Sequence, residues 1–323
     1  MRAIRIEKTG GPDVMALVEV PTPAAKAGEI LVRHEAVGVN FIDTYHRTGL
    51  YRIPIPGGLG SEGAGIVEAV GEGVTGFTEG DRVGYASGPL GAYAEYNAVR
   101  AASALKLPQA IGFDIAAAAM LKGMTARYLL KRTYPVKAGE TIVVHAAAGG
   151  VGQILVQWGV ALGARVIACA GSDEKCALAK SLGARHTINT SRDDIAKTIR
   201  ELTNGEGAPV VYDPVGKDTF EATLKSLAPL GMFVSFGNAS GPPPAVEPQL
   251  LAANGSLFFT RPTMGTYVRT PALLRETADD LWAIIASGKV KIAKPAAYKL
   301  ADARQAHRDL EGRKTTGSLV LVP

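Results

Sequence analysis

The sequence predicts an α/β protein of two parts, a partly open β-barrel domain and a doubly wound parallel-sheet domain inserted into it. Three observations carry this. Up to Lys122 the chain consists of short β-type runs separated by Gly and Pro. From Glu140 to Thr260 it alternates apolar strand runs with helical patterns. After Thr260-Arg261-Pro262 it returns to one helix and short strands. The expected division is 1–122 and 264–323 for the barrel domain and 123–263 for the inserted domain.

The elements follow in order. Met1–Ile6 reads as a first strand, and Ile30–Arg33, Gly65–Val70, Asp81–Tyr85 and Ala92–Tyr96 read as further short strands of a barrel. A helix opens near Phe41, and an Ala-, Leu- and Met-rich stretch predicts another over 115–131. Strands are then predicted at 141–145, 165–169, 186–188, 209–213, 231–236 and 256–260, with helices at 151–163, 173–182, 192–203 and 218–227. A last helix over 271–287 stops at Gly288, and strands at 289–292 and 318–322 return to the first domain.

Bulk properties narrow the classes. A chain of 323 residues with 47% hydrophobic residues is long enough for one large domain or two ordinary ones with packed cores. The net charge of +5 is mild, and the basic residues form no arm or aromatic-interleaved strip, which argues against nucleic acid. No apolar run reaches membrane-span length, and the N-terminus lacks a signal peptide's apolar core. Two cysteines, Cys169 and Cys176, have no metal-ligand spacing, so a reducing cytoplasm is the expected compartment.

Chemistry is concentrated at Ala147-Ala148-Gly149-Gly150-Val151-Gly152. A strand precedes it, a helical pattern follows, and a second strand comes next, which is the setting a dinucleotide fingerprint requires. Gly149 allows close approach of backbone to a pyrophosphate, Gly152 allows close helix–strand packing, and the helix N-terminus at Gly150 and Val151 attracts phosphate charge. Ala147 stands where the strict pattern has glycine. The second strand ends in Ala170-Gly171-Ser172 with no acid to bind a ribose 2′-OH, while Lys175 lies within reach of a 2′-phosphate, which favours NADPH over NADH. Ser172 also reads as a helix N-cap, and Lys175 as a solvated lysine.

These residues and several others make the chain similar to one family. It resembles the zinc-free quinone oxidoreductases (zeta-crystallin-like) of the medium-chain dehydrogenase/reductase superfamily, in the segments Val37–Tyr45, Gly60–Gly65, Leu121–Ala126, Ala147–Gly152, Val211–Gly216, Ser235–Asn238 and Thr260-Arg261-Pro262. The resemblance implies a GroES-like barrel, a Rossmann domain, NADPH-dependent reduction of quinones with activated carbonyls as related substrates, and a homodimer. Zinc members carry a cysteine near Gly38–Asn40 and a histidine in Gly-His-Glu, whereas this chain reads Gly60-Ser61-Glu62. With two cysteines and no histidine pair at metal spacing, no metal is expected.

Carried over residue by residue, the resemblance implies that Asn40, Phe41, Asp43 and Tyr45 line the nicotinamide side and that Thr125 and Tyr128 open the nucleotide domain. It assigns Gly150 and Val151 to the pyrophosphate, and Gly171, Ser172, Lys175 and Arg313 to the 2′-phosphate. It places Val215, Phe236, Gly237 and Asn238 beside the nicotinamide ribose. Thr190 stands where some members have a stacking tyrosine. Asn40 and Asp43 also read as caps of the helix at Phe41, Tyr45 and Tyr51 as packing aromatics, and Arg313 as a solvated charge. Hydride transfer to a quinone leaves negative charge on an oxygen, and Asn40, Tyr45 and Tyr51 are the candidate donors to it. The rival readings are an NADPH-dependent reductase of alkenal or enone C=C bonds and, more distantly, a non-catalytic NADPH-binding protein.

Overall fold

The computed structural model describes residues 1–323. The chain forms two compact units, Met1–Lys122 with Val268–Trp282 and Ile292–Pro323, and Gly123–Tyr267 with Ala283–Lys291.

The first unit begins with β1 (Arg2–Ile6), β2 (Ala16–Glu19), β3 (Glu29–Val39), helix α1 (Phe41–Thr48), β4 (Gly57–Gly58), β5 (Glu62–Val70), β6 (Arg82–Ala86), β7 (Tyr96–Arg100) and β8 (Ala104–Lys106). Helix α2 (Phe113–Tyr128) then carries the chain from this unit into the next. The eleven-residue β3 is the central strand. It pairs antiparallel with β5 and β7, and two register shifts against β5 bend it, as barrel strands must bend. The strand expected at Ala92–Tyr96 starts instead at Tyr96. Ahead of it, Ile4 N–H bonds Tyr93 O and Tyr93 N–H bonds Leu59 O, so those backbone groups tie separate segments together rather than extending one ladder. The core of this unit gathers Ile4, Ile6, Ile30, Val32, Val67, Val83, Tyr85, Tyr93 and Leu319.

The second unit contains β9 (Thr141–Val144), α3 (Gly150–Ala161), β10 (Arg165–Ala170), α4 (Asp173–Ser181), β11 (His186–Asn189), α5 (Ile195–Leu202), β12 (Ala208–Asp213), α6 (Phe220–Ser226), β13 (Leu227–Ser235), α7 (Pro248–Ala253), β14 (Phe258–Thr260) and α8 (Met264–Tyr267). All six strands pair in parallel, in the order β11-β10-β9-β12-β13-β14. Buried runs such as Val166–Ala170 reflect a sheet covered on both faces. The strand order reverses between β9 and β12, and ligands of such sheets bind at the carboxyl ends of the strands at this point.

Helix α9 (Pro271–Ala286), β15 (Ala296–Lys299), helix α10 (Ala303–Glu311) and β16 (Leu319–Val322) complete the chain. Strand β16 pairs antiparallel with β3 and parallel with β15. The strand expected at 289–292 is absent, despite the alternating Lys289-Val290-Lys291-Ile292. Val290 N–H bonds Ile284 O at the end of α9, and both backbone groups of Lys291 bond the Gln157 amide, so these groups are not available to a ladder.

Candidate active site

At the switch point, Gly149 is the N-cap residue of α3, in extended conformation and without a side-chain cap. The first-turn N–H groups of an α-helix lack intrahelical partners. Here they belong to Gly150, Val151 and Gly152, and the positive end of the helix dipole adds to them. A Cβ on Gly152 would lie 2.3 Å from Ala146 O and 2.7 Å from Ala147 Cα, so only glycine lets α3 pack this closely on the turn. The left-handed residue of the turn is Ala146, at φ 49°. Ala147 has negative φ and donates its N–H to Cys169 O, so alanine costs nothing where the strict fingerprint has glycine. The donor set fits a pyrophosphate: backbone N–H groups at a helix start, no acid among them, and no Cβ at Gly149, Gly150 or Gly152.

Beyond β10, Ser172 caps α4 by accepting Lys175 N–H at 3.3 Å. Gly171 faces open space, with Thr190 Oγ1 3.9 Å from an added Cβ. Ser191 Oγ donates to Gly171 O, which ties the loop after β11 to the loop after β10. The structure brings in one residue the sequence reading missed. Arg192 pairs with Asp173 at 2.7 Å, beside Ser172, and is well exposed. The parallel pairing of Ala170 with Asn189 carries it there, and no local pattern announces it. Arg313 lies in the other unit, just after α10, at φ 56°.

Around β12 and β13, Asp213 organises the turns. Its Oδ1 accepts the N–H groups of Val215 and Gly216, and its Oδ2 accepts the hydroxyls of Thr219 and Thr223. A Cβ on Gly237 would stand 2.4 Å from Pro214 O, so the Phe236-Gly237-Asn238 turn lies directly on the Val215 turn. Arg261 Nη1 donates to Ser235 O and Gly237 O and fixes that turn. Tyr128 is buried and stacks on Tyr267 at 4.4 Å between ring centroids. Thr125 is buried one turn before it on α2.

In the first unit, Asn40 follows β3 and caps α1. Its N–H is accepted by Asp43 Oδ2 at 2.8 Å, and its side-chain Nδ2 donates to Glu62 Oε2 at 2.8 Å. The capping reading of this pair is realised in the structure. Asp43 is fully buried, and its Oδ1 has no hydrogen-bond partner in the protein. Burial pushes its carboxyl up to about 7, against the lowering effect of the Asn40 N–H and the Tyr93 hydroxyl. Behind it stands a chain of donors. Arg47 Nη1 donates to His307 Nδ1 at 2.8 Å, so the His307 proton sits on Nε2 and faces Tyr93 OH at 3.0 Å, and Tyr93 donates to Asp43 at 2.9 Å. The chain ends in a guanidinium paired with Glu311, so it orients Asp43 and does not carry protons to it. Burial, with Arg47 adding to it, holds His307 down to about 3.

Tyr45 and Tyr51 meet edge to face, with centroids 5.3 Å apart, and Phe41 lies 6.4 Å from Tyr45. Glu62, which the sequence reading used only as part of Gly60-Ser61-Glu62, is fully buried against Asn40 and Lys122. Burial pushes its carboxyl up, opposed by Lys122, the Leu121 N–H and Asn40. No three His, Cys, Asp or Glu side chains are grouped so as to hold a metal ion. Both cysteines are free and buried, and burial pushes the thiol of each up.

The two units and the sites within them define a medium-chain dehydrogenase/reductase. Residues 26–109 match the alcohol dehydrogenase GroES-like domain, and residues 150–284 match the domain called zinc-binding dehydrogenase. A quinone oxidoreductase of Pseudomonas aeruginosa is 49% identical, with 100% of this chain and 99% of that protein aligned. The crystal structure of Escherichia coli quinone oxidoreductase complexed with NADPH superposes with a TM-score of 0.98 at 46% identity, covering 100% of both chains. A 2-haloacrylate reductase from a Burkholderia species is 42% identical, with 98% of each chain covered. The chain belongs to the zinc-free quinone oxidoreductase family of the medium-chain dehydrogenases/reductases.

Proposed function

We propose that this protein is an NADPH-dependent quinone oxidoreductase that works without a metal. The observation that carries this reading is the uncapped start of α3 at Gly149, placed at the switch point beside a second-strand loop, Gly171-Ser172, that has no acid at the ribose position. Relatives of nearly the same length point the same way, being quinone oxidoreductases. When bound, NADPH supplies the hydride. The chain holds the pyrophosphate with the N–H groups of Gly150 and Val151. It holds the 2′-phosphate with Ser172 and Lys175, and we add Arg192, whose guanidinium stands beside Ser172 where Thr190 provides no aromatic ring. Thr125, Tyr128, Val215, Phe236, Gly237 and Asn238 shape the nicotinamide end, with Asp213 and Arg261 fixing the turns.

In the barrel unit, Asn40, Tyr45 and Tyr51 are the donors that stabilise charge on the acceptor oxygen, each worth about 3 kcal/mol when preorganised. Phe41 packs beside them, and Asp43 holds the start of α1. The donor chain behind Asp43 ends in arginine, so the proton that completes a hydroquinone comes from water. A quinone is an acceptor that needs no Lewis acid, which suits a site where Ser61 replaces a ligating histidine. The second reading, reduction of an activated C=C bond, is supported by the likeness to a 2-haloacrylate reductase.

We also propose a homodimer and a cytoplasmic protein. The edge strand β14 ends the six-stranded sheet with Phe258 57% exposed, a surface suited to a second copy, and two reduced thiols suit the cytoplasm. No helix is long and apolar enough to cross a membrane. Fluorescence titration with NADPH and NADH tests the cofactor assignment. Tight NADPH binding that weakens in Lys175→Glu supports it, and equal binding of both cofactors contradicts it.

A further inference from the structure

The geometry points to Glu62 and Lys122 as a positioning pair for Asn40, an ion pair whose task is to orient one amide beside the acceptor while adding no net charge there. The inference rests on the role given to Asn40 above.

Four observations converge. Glu62 is fully buried. Its Oε1 accepts Leu121 N–H at 2.7 Å, and its Oε2 accepts Asn40 Nδ2 at 2.8 Å. Lys122 approaches the same Oε2 at 3.6 Å, beyond hydrogen-bond reach, and its buried Nζ has no hydrogen-bond partner. Room for this group is made on purpose by the backbone: a Cβ on Gly38 would stand 2.2 Å from Glu62 Oε2 and 2.4 Å from Ala117 O.

A buried ion pair is seldom the most stable solution, because desolvation of two charges offsets their attraction, and apolar residues of similar size are often as good or better. The backbone N–H of Asn40 is met by Asp43 and not by the pair. What the pair does is local. A carboxylate oxygen accepts only, so it selects the Nδ2 face of the amide and prevents the flipped orientation. The second Nδ2 hydrogen and Oδ1 of Asn40 then have fixed directions. An isolated carboxylate in that place would also oppose negative charge growing on an acceptor oxygen, and the Lys122 ammonium cancels that field. Neither residue exchanges a proton or an electron in this role. In zinc members a metal provides the positive field, and here a neutral pair serves to hold a donor still.

The experiment compares Glu62→Met, Lys122→Met, the Glu62→Met/Lys122→Met double variant, Asn40→Ala and the triple variant. Each is measured for Tm, NADPH affinity, and kcat and KM with a simple quinone. The Asn40 side-chain amide is followed by 15N NMR in the cofactor-free protein. Each single variant of the pair leaves a buried unpaired charge and lowers Tm. The double variant recovers Tm and keeps NADPH affinity, but its kcat stays about tenfold below wild type, a loss of about 1.4 kcal/mol in transition-state stabilisation. Its Asn40 amide protons exchange faster than in the wild type. Adding Asn40→Ala to the double variant costs nothing more. A merely structural pair gives the opposite result, kcat returning together with Tm in the double variant, and that overturns the inference. Wild-type kcat in Asn40→Ala alone overturns the role of Asn40 and the inference with it. An impaired Asn40→Ala beside a fully active double variant overturns the inference alone.

Discussion

Single residues in this protein carry charge states that folding has moved far from their ordinary values. Asp43 is raised to about 7, chiefly by burial. The unfolded carboxyl titrates near 3.8, so between about 4 and 7 the folded chain holds a proton that the unfolded chain has lost, and this group makes stability fall as pH rises through that window. His307, lowered to about 3 by burial and Arg47, and His34, lowered to about 4 by burial, act in the opposite sense. The unfolded imidazoles gain protons below 6.5 that the folded ones refuse, so stability is lost as pH falls from there. We expect Asp43→Asn to steepen the loss of Tm on acidification from pH 7 to 4, because it removes one of the groups that pulls the other way. Thermal unfolding at half-unit pH steps measures this, and a shallower acid slope in the variant contradicts it. Gly152 gives a second residue-scale test. Its missing Cβ would stand 2.3 Å from Ala146 O. Gly152→Ala must push α3 off the turn, at about 1–3 kcal/mol. We expect weakened NADPH binding and a lower Tm together, and unchanged values of both would show that the close approach is dispensable.

Elements decide how these residues meet. Helix α3 was legible because strand, glycine turn and apolar face occupy one continuous stretch, and Ser172 was legible as a cap because its partner is the N–H of Lys175, three positions on. Arg192 was not, since only the parallel pairing of β10 with β11 brings it to Asp173. The segment 289–292 misled because its alternating pattern describes a strand, while the Gln157 side chain on α3 satisfies its backbone. Two predictions belong here. Lys175→Glu or Arg192→Glu replaces a cation beside the 2′-phosphate loop, and loss of one charge-assisted contact, about 1.5–3 kcal/mol, raises the NADPH Kd about ten- to a hundredfold. NADH binding stays as it was, and an equal loss for both cofactors would remove these residues from the 2′-phosphate site. Phe258→Asp places a charge on the exposed edge strand β14. If the proposed homodimer forms through this edge, sedimentation gives a dimer for the wild type and a monomer for the variant, and the same mass for both contradicts that proposal.

For the whole molecule, the sequence carries the two-part architecture well, because texture changes at the barrel, the alternating segment and the return are each many residues long. The same holds for the fingerprint and for Ser61 in place of a ligating histidine, which are read from adjacent positions. What the sequence hides is the polar interior of the barrel unit. Asn40, Glu62, Tyr93, Lys122 and His307 come from the cap of α1, β5, the loop before β7, α2 and α10, and no periodicity links them. The central claim is that this assembly reduces quinones with NADPH and needs no metal. The direct measurement follows NADPH and NADH oxidation by protein freed of metal with a chelator, with a simple quinone and an alkenal side by side. Rapid quinone-dependent oxidation of NADPH, little of NADH, and no gain on adding zinc is the predicted result. Faster turnover of the alkenal would move the activity to C=C reduction, and dependence on added zinc, or no turnover despite tight NADPH binding, would contradict the account.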